Sequence, residues 1–253
     1  MAGEDLARVA RFERHLQDVM APDASWELPG WRCFATAGGT IGRVSSAAAT
    51  AESASPAASL SDVARSYQER GYRPRIRLTP LASPTAPAQA AALGWAEASG
   101  AHVMGMRLPR QADVSASDES ITWTSEASPV WRAVHLRGHE VPDAAERLAL
   151  AVSAKGETAY LQASTPDGGA VAAIGLGIVT DRLLGIYDVL TAREHRRAGH
   201  ARRVMAGLLN WGASLGADEA YLQVATGNDA AIALYRSIGF DIVYTYTYLA
   251  PAG

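Results

Sequence analysis

Residues 189–203 read Val189-Leu-Thr-Ala-Arg-Glu-His-Arg-Arg-Ala-Gly-His-Ala-Arg-Arg203, joining a strand pattern at 184–191 to a helix pattern at 199–215. The junction has the chemistry of an anion site. Gly199 lets the backbone turn and approach a ligand closely. The small Ala201 leaves the first helical turn uncrowded. Successive amides then point at one spot, with the positive end of a helix behind them. Arg196 and Arg197 add charge. A pyrophosphate satisfies this arrangement without a metal ion. Other phosphate loops fit poorly. The chain has no Gly-x-x-x-x-Gly-Lys-Ser/Thr run, which argues against nucleoside triphosphate hydrolysis. Gly175-Leu-Gly177 lacks the third glycine of a dinucleotide fingerprint and falls inside a strand pattern. Taken alone, the junction also reads as a solvated helix start.

Working outward, helix patterns occupy 128–137 and 143–152. Strands at 160–163 and 171–179 flank a Pro166-Asp-Gly-Gly169 turn, and 184–191 is a third strand. Ala201, Val204, Met205, Leu208 and Trp211 share the inward face of the 199–215 helix. A strand at 221–225, a helix at 228–237 and a last strand at 240–249 complete this half. An antiparallel meander leading into β-α-β-α-β predicts a mixed α/β sheet. Upstream, residues 4–20 form an amphipathic helix pattern. Strands at 31–34 and 41–44 around Gly38-Gly39 predict a hairpin. The Ala/Ser-rich stretch 46–58 reads as a loop or frayed helix. A helix at 61–70 closed by Gly71, a strand at 75–78, a short helix at 88–93 and a strand at 102–108 follow. The polar segment 109–120 is the best boundary and divides the chain into domains 1–110 and 119–253. Leu93-Gly94-Trp95 echoes Ile238-Gly239-Phe240, which is compatible with two copies of one fold.

The 253 residues suit two domains of roughly 100–150 residues each. Hydrophobic residues at 48% and charged residues at 19% allow a large core and exclude general disorder. A net charge of -3 argues against a nucleic-acid clamp. Cys33, the only cysteine, excludes an intramolecular disulfide framework and a Cys-rich metal site. His135 and His139 are spaced i, i+4, but without a third ligand they read as a surface helix rather than a zinc site. The six tryptophans read as core or domain-interface residues. No apolar run is long enough to span a membrane, and the acidic N-terminus lacks a secretory pattern. A soluble cytoplasmic protein is the expectation, and a homodimer is compatible with it.

A second stretch narrows the choice. Residues 222–240 read Leu222-Gln-Val-Ala-Thr-Gly-Asn-Asp-Ala-Ala-Ile-Ala-Leu-Tyr-Arg-Ser-Ile-Gly-Phe240. Together the two stretches resemble the GNAT superfamily of acetyl-CoA-dependent N-acetyltransferases. The first matches its Arg/Gln-x-x-Gly-x-Gly/Ala loop at Arg196, Gly199 and Ala201. The second matches its Asn-x-x-Ala-x-x-Leu-Tyr-x-x-x-Gly-Phe signature at Asn228, Ala231, Leu234, Tyr235, Gly239 and Phe240. The resemblance runs from about Ile121 to the C-terminus. The first half, with Trp31-Arg32, the Gly-Gly-Thr turn and Tyr67-x-x-x-Gly71-x-x-Pro74, resembles the degenerate first half of an actinobacterial-type tandem GNAT subfamily. The usual Asn-Ser pair there reads Ser45-Ser46, and the first half lacks the pyrophosphate loop. The resemblance implies an α/β (α+β) fold of two tandem GNAT-like halves. Each is a mixed, mostly antiparallel sheet flanked by helices, and the C-terminal half has a splayed strand pair.

The resemblance also implies roles. Backbone groups of Val189, Leu190 and Thr191 would pair with pantetheine, and the amide of Leu190 or its neighbour would polarise the thioester carbonyl. Arg196, Arg197, Ala198, Gly199, His200, Ala201 and Arg202 would cradle the pyrophosphate of acetyl-CoA. Asn228 would contact pantetheine or brace the splay, and Ala231 would belong to the same cofactor site. Tyr235 matches the family's general acid. Many relatives carry a glutamate base where this chain has Gln223, which takes no proton. Asp188 and Glu126 are alternative bases, each also readable as a salt bridge or cap, and a water chain would replace either. Tyr244, Tyr246 and Tyr248 alternate on the last strand, where any on the cleft side would contact substrate. The implied reaction is direct acetyl transfer to a primary amine in a small molecule or peptide, with the N-terminal half covering the acceptor mouth. The alternatives are a non-catalytic acyl-CoA-binding module, which Gln223 favours and Tyr235 disfavours, and a nucleic-acid binder using the Arg cluster.

Overall fold

The computed structural model describes residues 3–51, 58–109, 120–138 and 144–252. Most of the expected boundary at 109–120, part of the stretch 46–58, His139 and position 143 lie outside these residues. In chain order the elements are α1 (Gly3–Val19), β1 (Ala24–Leu28), β2 (Trp31–Ala35), β3 (Ala47–Ala49), α2 (Leu60–Gln68), β4 (Ile76–Leu78) and α3 (Ala86–Ala92). Then come β5 (Trp95–Arg107), β6 (Ile121–Thr124), α4 (Pro129–Gly138), α5 (Ala144–Val152), β7 (Glu157–Ser164) and β8 (Val171–Thr180). The last are β9 (Leu183–Thr191), α6 (His200–Ser214), β10 (Glu219–Ala225), α7 (Asp229–Ile238) and β11 (Asp241–Pro251). The chain divides into two compact units. One comprises Met1–Val103, Val224–Asp229 and Ile242–Gly253; the other comprises Met104–Gln223 and Ala230–Asp241. Among the described residues, no helix is long and apolar enough to cross a membrane.

In the first unit the strands run β1-β2-β3-β4-β11. The β1–β2 hairpin turns at Pro29-Gly30, where Gly30 has φ 77°. Sequence reading places this hairpin one segment too late. Residues 42–44 form a single 3-10 turn instead of a strand. β3 is three alanines, all buried, at a place where sequence suggests loop or frayed helix. Alanine has little intrinsic strand preference, so pairing with β2 on one side and β4 on the other decides its conformation. α2 starts at a reciprocal cap: the Ser59 hydroxyl accepts from the Asp62 amide, and the Asp62 carboxylate accepts from the Ser59 amide. Its Leu60, Val63 and Tyr67 join Trp31, Ile76 and Trp95 in the core of this unit.

β11 returns to this unit and pairs antiparallel with β4, Tyr248 opposite Arg77. The ring of Tyr248 lies over Gly42. A Cβ at position 42 would stand 2.5 Å from the ring, and the Tyr248 hydroxyl, which accepts from Arg77 Nη1, holds that ring in place. Gly42→Ala is expected to destabilise the protein by roughly 1–3 kcal/mol through overpacking, read as a lower urea midpoint at unchanged slope.

The second unit is built on the antiparallel meander β6-β7-β8-β9, with β10 parallel to β9. α6 packs on it through Val204, Leu208 and Trp211. The two glycines in β8 explain how closely. A Cβ on Gly175 would meet Val204 at 2.7 Å, and one on Gly177 would meet Leu208 and Trp211 at 3.0 Å. Glycine is therefore here for space, as expected of a backbone closely approached by its neighbour. Trp131 is fully buried, whereas Trp123 on the edge strand β6 is 52% exposed and leans on Trp211 at 6.1 Å. The expectation that every tryptophan lies in a core or domain interface therefore gives way at Trp123.

β9 departs from regularity twice. Opposite β8, the register slips: Ile174 pairs with Leu190 but Leu176 with Tyr187, so Asp188 and Val189 together face Gly175. This is a β-bulge, and Asp188 takes φ 49° within it. On the other edge, the parallel pairing with β10 ends at Ile186↔Leu222, although β9 continues to Thr191.

Candidate active site

The bulge and the start of α6 define the site. From Asp188 to Thr191, β9 is only half-buried, and its parallel register with β10 stops at Ile186. A single 3-10 turn, Arg193–His195, leads out of the strand. Arg196 is extended and donates from Nε to the Thr191 carbonyl at 3.4 Å. Arg197 has φ 65° and Gly199 φ 81°. Two left-handed residues in one short loop turn successive amides toward the same side, the arrangement of an anion nest. α6 then opens without a side-chain cap, and the Arg203 amide is the first to reach back, to the Gly199 carbonyl at 3.2 Å. The amides of His200, Ala201 and Arg202 therefore stand before the helical ladder begins. A Cβ at Gly199 would meet nothing within 4 Å, so the space in front of the loop is open.

The side chains of the loop divide by task. Arg196 and Arg197 are exposed. Arg202 donates to Ser237 Oγ at 2.6 Å, tying the start of α6 to the end of α7. The imidazole of His200 is buried, with its Nδ1 3.0 Å from an Arg203 guanidinium nitrogen. Burial, then the Arg203 and His195 charges, hold its pKa below the ordinary histidine value. His200 thus presents backbone rather than charge to the loop.

Tyr235 lies on α7, 8% exposed, with its ring edge-on to Phe240 at 6.2 Å. Burial alone pushes its phenol up to about 12. Asn228 is exposed just before α7, its amide donating to the Ala225 carbonyl. Glu126 is exposed in the turn between β6 and α4, where its carbonyl accepts from the Thr124 hydroxyl. The Asp188 side chain is 6% exposed and places Oδ2 3.4 Å from Nε2 of His135. Both carboxylates lie close enough to Tyr160 for their charges to raise its phenol pKa, after burial, while Arg132 opposes them.

A family model described as "Probable histone acetyltransferase Rv0428c C-terminal" matches residues 21–249. The chain belongs to this acetyltransferase family. It is an N-acetyltransferase with the GNAT fold. The GCN5-related N-acetyltransferase from Kribbella flavida superposes with a TM-score of 0.66 over 100% of this chain and 97% of that one, at 16% identity. A tandem GNAT protein from the clavulanic acid biosynthesis pathway covers 72% of this chain and 65% of its own, with a TM-score of 0.52 and 16% identity. In sequence, the N-acetyltransferase YobR of Bacillus subtilis (strain 168), described as uncharacterized, is 36% identical over 76 residues. That match spans 30% of this chain and 31% of YobR.

Two readings change in the GNAT structure. His135, expected on a surface helix, is fully buried against Trp131, the rings 5.1 Å apart. A signal was present: His135 follows Trp131 by four residues and so shares its face. The tyrosines of β11 are not left to a substrate cleft either. All three are buried, and they close on a carboxylate–guanidinium pair that sequence reading missed. Glu13 of α1 receives Nε and Nη2 of Arg77 and the hydroxyl of Tyr244. Glu13 lies among Val9, Phe12 and Leu16 on the apolar face of α1, an odd place for a charge and the clue that it has a buried partner.

Proposed function

We propose that this N-acetyltransferase uses acetyl-CoA as donor and moves the acetyl group directly to a primary amine of a small molecule or peptide, in a ternary complex. One observation carries the reading: the uncapped start of α6 follows a bulged strand end that runs on past its registered pairing with β10. The backbone of Val189, Leu190 and Thr191 pairs with pantetheine, with Asn228 and Ala231 bordering it. The Leu190 amide supports negative charge on the thioester oxygen. The amides from Ala198 to Arg202, with Arg196 and Arg197, hold the diphosphate. A cytoplasmic setting, where this donor is made and consumed, belongs to the same reading.

The proton movements follow from ordinary acidities. A free alkylammonium has a pKa near ~10, so the acceptor must lose a proton before it attacks. Asp188 takes it, with Glu126 as the second candidate. The amine nitrogen bonds to the acyl carbon, the carbon–sulfur bond breaks, and the departing thiolate takes the proton of Tyr235. The amide nitrogen and Asp188 each release a proton to solvent, and one proton returns from solvent to the phenolate, which leaves one proton released per turnover. Gln223 at the position of the usual base favours a second reading, a module that binds acyl-CoA without turnover.

Calorimetry with coenzyme A, paired with thiol release across a panel of primary amines, separates them. The native protein is expected to bind, and the double variant Arg196→Glu/Arg197→Glu to bind at least roughly 10-fold more weakly, since charge-assisted contacts to phosphate are the strong ones. Binding without turnover on any amine supports the module; no heat with coenzyme A removes both readings.

A further inference from the structure

Packing alone does not account for His135. Its imidazole is fully buried on α4, stacked on Trp131, and faces the nearly buried carboxylate of Asp188 at 3.4 Å. Bringing a carboxylate and an imidazole out of water is costly unless the two answer each other. Asp188 is also the left-handed residue of the β9 bulge. Bulges re-aim side chains, and local strain of this kind gathers at working sites. The same helix braces the bulge from below: a Cβ at Gly138, the end of α4, would meet the Leu190 side chain at 3.1 Å. Among the described residues, Arg132 of α4, Glu126 of the preceding turn and Tyr160 of β7, whose hydroxyl donates to the Ala151 carbonyl, also bear on this corner.

We propose that His135 and Asp188 act as one dyad, His135 being the positioning residue for Asp188. The proposal rests on Asp188 being the proton acceptor. In the substrate complex the Nε2–H of neutral His135 closes on Oδ2, 3.4 Å away in the free protein, and fixes the carboxylate as it takes the proton of the incoming ammonium. That step turns R–NH₃⁺ and a carboxylate into R–NH₂ and a carboxylic acid, with no other reactant. A separation of 3.4 Å fits a catalytic contact before substrate binds, since such contacts shorten in the complex.

The test uses the whole chain and three variants. His135→Phe keeps a ring against Trp131 and removes the N–H; His135→Gln keeps a donor; Asp188→Asn removes the charge. The first measurement is the ring-nitrogen chemical shift of His135 at neutral pH by NMR, and the Nε2 resonance is expected to move in Asp188→Asn, which removes the charge it faces. The second is the pH profile of thiol release from acetyl-CoA, with primary amines and with water alone as acceptor. In His135→Phe the acidic limb is expected to move up by about one unit, because the buried carboxylate has lost its donor. His135→Gln should restore part of that shift, and coenzyme A affinity should stay constant throughout.

An unmoved Nε2 resonance in Asp188→Asn overturns the dyad while leaving Asp188 available as base. So does uniform loss of activity in both His135 variants with the limb in place. Full turnover in Asp188→Asn removes the base assignment itself, whatever the ring does. If His135→Phe fails to fold, the Nε2 resonance and His135→Gln still decide.

Discussion

Tyr235→Phe is expected to lower amine-dependent thiol release by roughly 10²- to 10⁴-fold, the usual contribution of a positioned acid, with coenzyme A affinity unchanged. The variant removes one oxygen and keeps the ring that packs edge-on to Phe240. Because burial is the sole cause that raises the phenol to about 12, no neighbouring charge competes for its proton. The phenol therefore stays protonated well past neutrality and gives its proton only to a strong base, such as a thiolate formed beside it. The sign for pH follows: a raised pKa places the loss of this acid on the alkaline side, above the ordinary phenol value of ~10. Native enzyme should hold its rate until that range, and the variant should lack that alkaline limb. Stopped-assay thiol release and calorimetry on the same preparation check both halves. A loss under about tenfold, below the range for a general acid, would assign the leaving-group proton to another donor.

What the sequence disclosed depended on how local the cause was. The helix at His200–Ser214 announces itself, because Val204, Leu208 and Trp211 repeat at helical spacing and Gly199 marks its start. The strands of the meander are equally plain, being long, apolar and separated by turn residues. β3 was not legible: three alanines carry no strand signal, and neighbours on both sides impose the conformation. The first hairpin was misplaced because Gly38-Gly39 is a louder turn signal than Pro29-Gly30, although the alternation that pairs lies in Ala24–Leu28.

The site divides the same way. The turn into α6 is a local feature, and Gly199, which takes φ 81° there, marks it in the sequence. The bulge was not, since an extra residue in β9 exists only relative to Gly175 on β8. His135 and Asp188 are separated by more than 50 residues, and only the fold makes them neighbours. The Tyr244, Tyr246 and Tyr248 alternation gave the strand and its shared face but not the partners, because Glu13 and Arg77 lie 231 and 171 residues away from Tyr244 and Tyr248.

That buried cluster carries the largest stability effect expected in the molecule. Arg77 and Glu13 are each 2% exposed, and the guanidinium meets the carboxylate through Nε and Nη2. Its Nη1 donates to the Tyr248 hydroxyl, and its central carbon lies 3.4 Å from the Tyr246 ring centroid. Arg77→Met keeps the length of the stem and strips every donor. Glu13 is then left in the core with the Tyr244 hydroxyl and no counter-charge, and breaking a buried pair in this way costs roughly 3–5 kcal/mol. For a chain of this size each kcal/mol lowers Tm by about 2–4 °C, so the variant should melt about 6–20 °C early by scanning calorimetry. Arg77→Lys should recover little, because one ammonium cannot replace a planar fork that serves a carboxylate, a hydroxyl and a ring together. The double variant Glu13→Leu/Arg77→Met separates the two explanations of that loss. If the cost is the orphaned carboxylate, the double variant is more stable than Arg77→Met, since removing both charges removes the desolvation problem with them. If the cost is the lost tyrosine and ring contacts, the double variant melts with the single one, and the cluster holds β11 to β4 through the guanidinium rather than through the ion pair.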